Sequence, residues 1–185
     1  MSPSLVLASA SARRRKIVAA LDRPFEVLVP DVAERLYPFD PRRTAAENAR
    51  AKHDWARTAR EDASILAADT VIDFEGACVG KPRDSAEAAR QLLAFSGKPH
   101  SVLTAAAFSA PGGPVHERLT VSVVRFRALS PTDVEAYLSL VHPLDKAGSY
   151  DIDQYPELII ESFSGSRTNI MGLPRAVVKE WLALH

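Results

Sequence analysis

Apolar residues along the chain follow two rhythms, short unbroken or alternating runs and stretches spaced by three and four, and these rhythms take turns from end to end. Leu5-Val6-Leu7-Ala8 has the length of a buried strand, and Ile17, Val18 and Leu21 then share one side of a helix. Thr44 to Arg60 reads as a second helix, opened by the capping box Thr44-x-x-Glu47. Ser64 to Phe74 reads as a strand that turns at Glu75-Gly76 into Ala77-Cys78-Val79. Asp84-x-x-Glu87 opens a third helix, which carries Leu92, Leu93 and Phe95 and stops at Gly97. Strands at about 100–109 and 115–126 are joined through Pro111-Gly112-Gly113-Pro114, and Ser130-Pro131 starts a helix containing Val134, Tyr137, Leu138 and Val141. A loop from His142 to Glu157 leads to a predicted strand, Leu158-Ile159-Ile160, and Pro174 is placed at the first position of the last helix. Such interleaving predicts one α/β domain over residues 1–185, with a mixed central sheet and flanking helices.

Composition narrows the partners. A chain of 185 residues suits one compact domain with two lobes or two very small domains sharing a core, and 46% hydrophobic with 25% charged residues is ordinary globular usage. Lys+Arg 23 balances Asp+Glu 23, so net charge suggests neither a nucleic-acid nor a membrane partner, and any anion site must come from local placement of charge. The single cysteine, Cys78, excludes an internal disulfide and a cysteine zinc site. The first residues lack a signal peptide's basic start and long apolar stretch, and no run approaches the roughly 18 apolar residues of a spanning helix. The expectation is a cytoplasmic protein. No G-x-x-x-x-G-K-[ST] or G-x-G-x-x-G occurs, and the 5 histidines show no H-x-x-x-H spacing.

Four segments carry candidate chemistry. Ser9-Ala10-Ser11-Ala12-Arg13-Arg14-Arg15 joins the first strand to the first helix. Small residues let a ligand approach the backbone there, and a helix start offers unpaired N–H groups to an anion. Three arginines oppose the helix dipole at that end unless an anion lies nearby, although a solvated basic turn is the plainer alternative. Arg14 shares the face of Ile17, Val18 and Leu21 and should point toward the sheet; Arg15 should face water. Lys52 interrupts a stripe of Ala45, Ala49, Ala56 and Ala59, so it either reaches an anion or snorkels at the rim. Asp69-Thr70-Val71 follows an apolar strand whose carboxyl end is where α/β sheets place ligands. The hairpin register expected from Glu75-Gly76 sets Thr70 opposite Lys81 and brings Asp69 and Lys81 together, as a ligand site or a structural ion pair. The long charged loop with Asp145-Lys146-Ala147-Gly148-Ser149-Tyr150 and the later Gly165-Ser166-Arg167-Thr168-Asn169 completes the set.

Together these segments resemble the Maf family of nucleoside triphosphate pyrophosphatases. The matching pieces run in family order: Leu7 to Arg14, Ala51-Lys52, Ala68 to Val71, Gly80 to Asp84, Ser96-Gly97-x-x-His100-x-Val102, Pro143 to Gly148, and Asn169-x-x-Gly172-Leu173-Pro174. The resemblance implies an ITPase-like α/β fold with two lobes around a cleft, a divalent metal (Mg or Mn), a nucleoside triphosphate substrate and a possible homodimer. By the same resemblance Asp69 is the proton acceptor, and Glu34, Lys52 and Lys81 line the phosphate and metal site, with Glu34 and Asp69 as metal ligands. Ser9, Arg13, Arg14 and Thr70 fall in the substrate site, Arg13 and Thr70 where the family tunes its choice of base. One stretch departs. Where the thymidine/uridine-type members read tyrosine, glycine, isoleucine, glutamine and then glycines, this chain has Tyr150-Asp151-Ile152-Asp153-Gln154-Tyr155-Pro156-Glu157. Asp153 thus replaces the glutamine, and a carboxylate only accepts where an amide also donates. Arg13 and Thr70 look like the pyrimidine type, so the base stays open between dTTP/UTP and a modified nucleotide.

A triphosphate must be neutralised before water can attack it, which is the work expected of the lysines, arginines and metal. The expected reaction is metal-assisted attack by water with Asp69 orienting or deprotonating it. Two rivals remain: a nucleotide-binding regulator, for instance of cell division, with little or no hydrolysis, and a phosphatase that releases orthophosphate.

Overall fold

The computed structural model describes residues 4–184. Seven strands, β1 (Leu5–Ala8), β2 (Phe25–Leu28), β3 (Ser64–Phe74), β4 (Ala77–Val79), β5 (Pro99–Ser109), β6 (His116–Phe126) and β7 (Ile160–Ser164), form one sheet. The order is β2-β1-β3-β5-β6-β7, with β4 also paired to β3; β1 runs parallel to β2 and β3, and the remaining pairs are antiparallel. The helices are α1 (Ala12–Ala19), α2 (Pro41–Ala59), α3 (Ser85–Phe95), α4 (Pro131–Leu140), α5 (Pro156–Ile159), α6 (Arg167–Ile170) and α7 (Arg175–Leu184), with a 3₁₀ turn at Ala147–Ser149. The mixed α/β architecture read from the sequence is the one observed.

Side chains alternate across β3, and that alternation sorts the core. Ile65, Ala67 and Val71 face α2, where Ala45, Ala49 and Ala56 are 0–1% exposed and let the helix lie close to the sheet. Leu66 and Ala68 face the other way, into a cluster with Ile17 and Val18 of α1 and Val178 and Trp181 of α7. Further along that same face, Ile72 joins Leu92 and Phe95 of α3 and Val134 and Tyr137 of α4. Two apolar lobes therefore share one face of the sheet.

Four expectations are corrected. Helix α2 begins at Pro41, because Asp40 Oδ1 accepts from Arg43 N (3.0 Å) and proline suits the first helical position, a stronger start than Thr44 offers. Thr44 lies inside the helix and Glu47 binds Arg43 (2.7 Å) and the Tyr37 hydroxyl (2.6 Å), so no capping box forms. Residues 158–159 close the short helix α5, again started by a proline, and the strand runs 160–164 instead. Pro174 stands one residue before α7, its carbonyl accepting from Val177 N (3.1 Å). The sequence reading did not include β2, an edge strand with only Phe25 and Leu28 half-buried. Among the described residues no helix is long and apolar enough to cross a membrane.

Candidate active site

Strand β3 has a notch in its side. Its parallel partner β1 reaches only to the Ala8↔Ala67 pair, and β4 begins only at Ile72↔Val79. Between them residues 68–71 have a strand neighbour on the β5 side alone, where Asp69 lies across from Ala105 and Thr70 across from Thr104. Asp69 is therefore mid-strand, and what ends beside it is β1. This corrects the strand-end placement: the free edge beside Asp69 comes from the neighbouring strand stopping, because β1 gives way after Ala8 to Ser9 and the start of α1.

On the α2 face, Asp69 is 7% exposed and its Oδ1 accepts from Lys52 Nζ at 2.6 Å. The same ammonium is 2.5 Å from Glu34 Oε1, so two carboxylates share one cation. Asn48 Nδ2 lies 3.5 Å from Asp69 Oδ2. Burial raises the Asp69 carboxyl above its ordinary range, against the pull of Lys52 and Arg14. Burial pushes Glu34 the same way, but its bond to Lys52 and the charges of Lys52, Lys81 and Arg14 outweigh it and hold Glu34 low. Neighbouring carboxyls driven apart in this way are suited to different roles, a base and an anionic ligand.

On the opposite face, Arg14 crosses from α1 into the seam between the lobes. Its Nε donates to Gly172 O (2.8 Å), Nη1 to Ser9 Oγ (3.3 Å) and Nη2 to Thr70 Oγ1 (3.0 Å). The Thr70 hydroxyl lies 2.9 Å from that of Thr104, which donates to Asn169 O (3.1 Å). Burial lowers the Arg14 guanidinium's pKa, and Asp69 offsets part of that. Asp69 and Thr70 are consecutive residues on opposite faces of one strand, so the two polar seams meet back to back at the notch.

The structure unites Asp69, Lys52 and Glu34 on one face, and Ser9, Arg14 and Thr70 on the other. Lys81 departs from expectation. Pairing of the hairpin stops at Val79, and the exposed Lys81 makes no ion pair with Asp69; its charge is felt by Glu34. The cause lies next door, where Gly80 O accepts from Gly148 N (3.1 Å) and Pro82 has no N–H to continue a ladder. Asp153 points outward and is paired with Arg167 at 2.8 Å, whereas Asp151, 4% exposed, faces Arg13 at 3.8 Å. Arg13 thus looks across from one lobe to the other. Asn48 and Thr104 were missed from sequence. Asn48 precedes Lys52 by one helical turn, a usable signal, but Thr104 becomes visible only through the β3–β5 register.

A mixed sheet carrying a buried acid, a lysine and an arginine at a break beside its central strand defines a mixed α/β protein with charged groups gathered on both faces of one strand. The chain belongs to the Maf-like protein family, whose model matches residues 4–185. It is 40% identical over 182 residues to a protein of Moorella thermoacetica named dTTP/UTP pyrophosphatase, covering 97% of this chain and 94% of that one. An Akkermansia muciniphila protein of the same name is 37% identical over 181 residues, covering 97% and 95%. The solved structure of the Staphylococcus aureus Ham1 protein superposes with a TM-score of 0.54 over 96% of this chain and 99% of that chain. At 16% identity that likeness is one of fold.

Proposed function

We propose that this protein hydrolyses a nucleoside triphosphate of the dTTP/UTP kind to the monophosphate and pyrophosphate. The observation that carries the reading is the cluster at the β3 notch, where the buried Asp69 and Lys52 lie within one hydrogen bond of each other and the exposed Glu34 shares the same ammonium. Names of the two relatives above, and the presence of Arg13 and Thr70, support the pyrimidine. Arg14, Lys52 and Lys81 neutralise the phosphate chain as it enters the notch. Asp69 takes a proton from the attacking water, whose oxygen bonds to the α-phosphorus. The bond from that phosphorus to the bridging oxygen breaks, and pyrophosphate leaves with the electron pair. A carboxyl raised by burial is a better base near neutral pH than an exposed aspartate.

The donor set suits a hard divalent cation. Among the described residues no cluster of three or more His, Cys, Asp or Glu side chains forms a protein cage. Mg²⁺ needs none, since it is held through one or two carboxylates with waters and substrate phosphates. Glu34, its side chain 56% exposed, and Asp69 would hold it. Bound there, the metal supplies charge to polarise the phosphates and acidify water.

A panel of triphosphates, with Mg²⁺ present or chelated, tests the whole reading by the product released. Pyrophosphate from UTP and dTTP, lost on chelation, is expected; orthophosphate as first product overturns it, and binding without turnover favours a regulator. Asp69→Asn should lower kcat at least about 1,000-fold, the scale of a lost essential base, with nucleotide binding retained.

A further inference from the structure

Glu34 sits in a segment between β2 and α2 that has no strand or helix of its own. Something must hold it against the sheet, because half of a two-carboxylate site on a loose loop would be useless for positioning. The hydrogen bonds identify that fastening. Arg35 N donates to Asn48 Oδ1 (2.8 Å), and Asn48 Nδ2 donates back to Arg35 O (3.0 Å). The second N–H of the same amide is directed at Asp69 Oδ2, 3.5 Å away. The orientation of the amide is fixed chemically, since Arg35 N can only donate while Arg35 O and the carboxylate can only accept. Asn48 is 3% exposed and lies one turn before Lys52, on the face of α2 that touches the sheet.

We propose that Asn48 is a positioning residue for the hydrolysis suggested above: one carboxamide clamps the backbone beside Glu34 to α2 and steadies Asp69 on β3. This rests on the proposed function, but the clamp itself does not. No other side chain of that size performs the task. Leucine fills the space and leaves three polar partners unmet. Aspartate keeps the acceptor for Arg35 N but sets a negative charge against Arg35 O and Asp69. Serine is too short to serve both sides of a peptide unit at once. The alanines at positions 45 and 49 matter here too, because only a closely packed helix brings so short a side chain within reach of β3.

Backbone exchange and kinetics together test it. In Asn48→Leu, hydrogen exchange of the Arg35 amide should accelerate at least about 10-fold, while amides of β3 and β5 keep their protection. Its kcat for UTP should fall about 100-fold with KM changed less than about 3-fold, since the phosphate-binding cations are untouched. Combining it with Glu34→Gln should cost less than the product of the two single losses, the mark of two residues acting through each other. Asn48→Asp should keep the Arg35 amide protected and still lose kcat, because the bonds donated to Arg35 O and Asp69 give way to repulsion. Multiplicative losses in the double variant, unchanged Arg35 exchange in Asn48→Leu, or full activity of Asn48→Asp would overturn the proposal. Should the unaltered protein release pyrophosphate from no triphosphate, the functional reading fails, and the exchange arm still decides whether the clamp exists.

Discussion

Lys52 is where the chemistry of single residues is most exposed to test. Its Nζ holds Asp69 at 2.6 Å and Glu34 at 2.5 Å, with the lysine and aspartate side chains only 11% and 10% exposed. Buried ion pairs are poor net stabilisers, yet removing one partner strands a charge in a medium that cannot solvate it, at a cost of about 3–5 kcal/mol. Lys52→Met should therefore lower the free energy of unfolding by about that much, measured by urea titration at neutral pH. Adding Asp69→Asn to the same chain should recover most of the loss, because the buried carboxylate that suffered is gone. Equal instability of the single and double variants would mean that Lys52 contributes through its packing stem alone. Glu34 behaves differently in this scheme. Its exposed carboxylate rehydrates when the lysine is removed, so Glu34→Gln should not rescue Lys52→Met.

Among elements, the 3₁₀ turn at Ala147–Ser149 is the one whose sequence is least replaceable. Gly148 has φ 70°, and a Cβ there would run into Ile72 Cδ1 and come within 3.2 Å of Phe95 Cε2. Both are core atoms of the α3–α4 lobe, so they cannot simply swing away. Gly148→Ala should destabilise by about 2–5 kcal/mol, the left-handed backbone adding about 1–2 to an overpacking cost of about 1–3. A change in the urea midpoint below about half of that would show that the turn rearranges freely. Because Gly148 N binds Gly80 O, this turn also sets where Lys81 emerges, so the variant should raise KM for the triphosphate as well.

The same scale shows what the sequence could and could not reveal. Strands β1, β3, β5 and β6 were legible because unbroken apolar runs bury both faces or alternate cleanly. Edge strand β2 was not, since Glu26 and Val27 are exposed and no period-2 pattern survives. The site's residue types were readable in the lysine set among alanines and in the arginines crowding a helix start. Their spatial relations were not. The notch depends on where two neighbouring strands stop, which no local pattern encodes, and the same ignorance placed Lys81 beside Asp69 when the hairpin in fact ends at Val79.

At the level of the whole molecule, one sheet separates a carboxylate seam from an arginine seam, while the aromatic core of the second lobe carries a separate burden. His100 is 3% exposed, stacked on Phe95 with centroids 4.4 Å apart and bonded through Nε2 to the Tyr150 hydroxyl at 2.9 Å. Burial pushes its pKa down to about 4, while in the unfolded chain a histidine titrates near about 6.5. As pH falls from 6.5 toward 4, the unfolded state takes up a proton that the folded state refuses. The stability present above pH 6.5 is then lost, with a slope of at most about 1.4 kcal/mol per pH unit from this group. His53, also lowered chiefly by burial, adds loss of the same sign, whereas Asp69, raised by burial, works in the opposite sense. The contribution of His100 is isolated by His100→Gln, which retains a hydrogen-bonding group for Tyr150 and cannot titrate. Urea unfolding at pH 7.5, 5.5 and 4.5 should show the variant losing on the order of 2 kcal/mol less than the unaltered protein across that range. Parallel curves would mean that His100 protonates inside the folded lobe as readily as in the open chain. That outcome would require water to reach the aromatic nest of Phe95, Phe126 and Tyr150, which the burial of all three rings opposes.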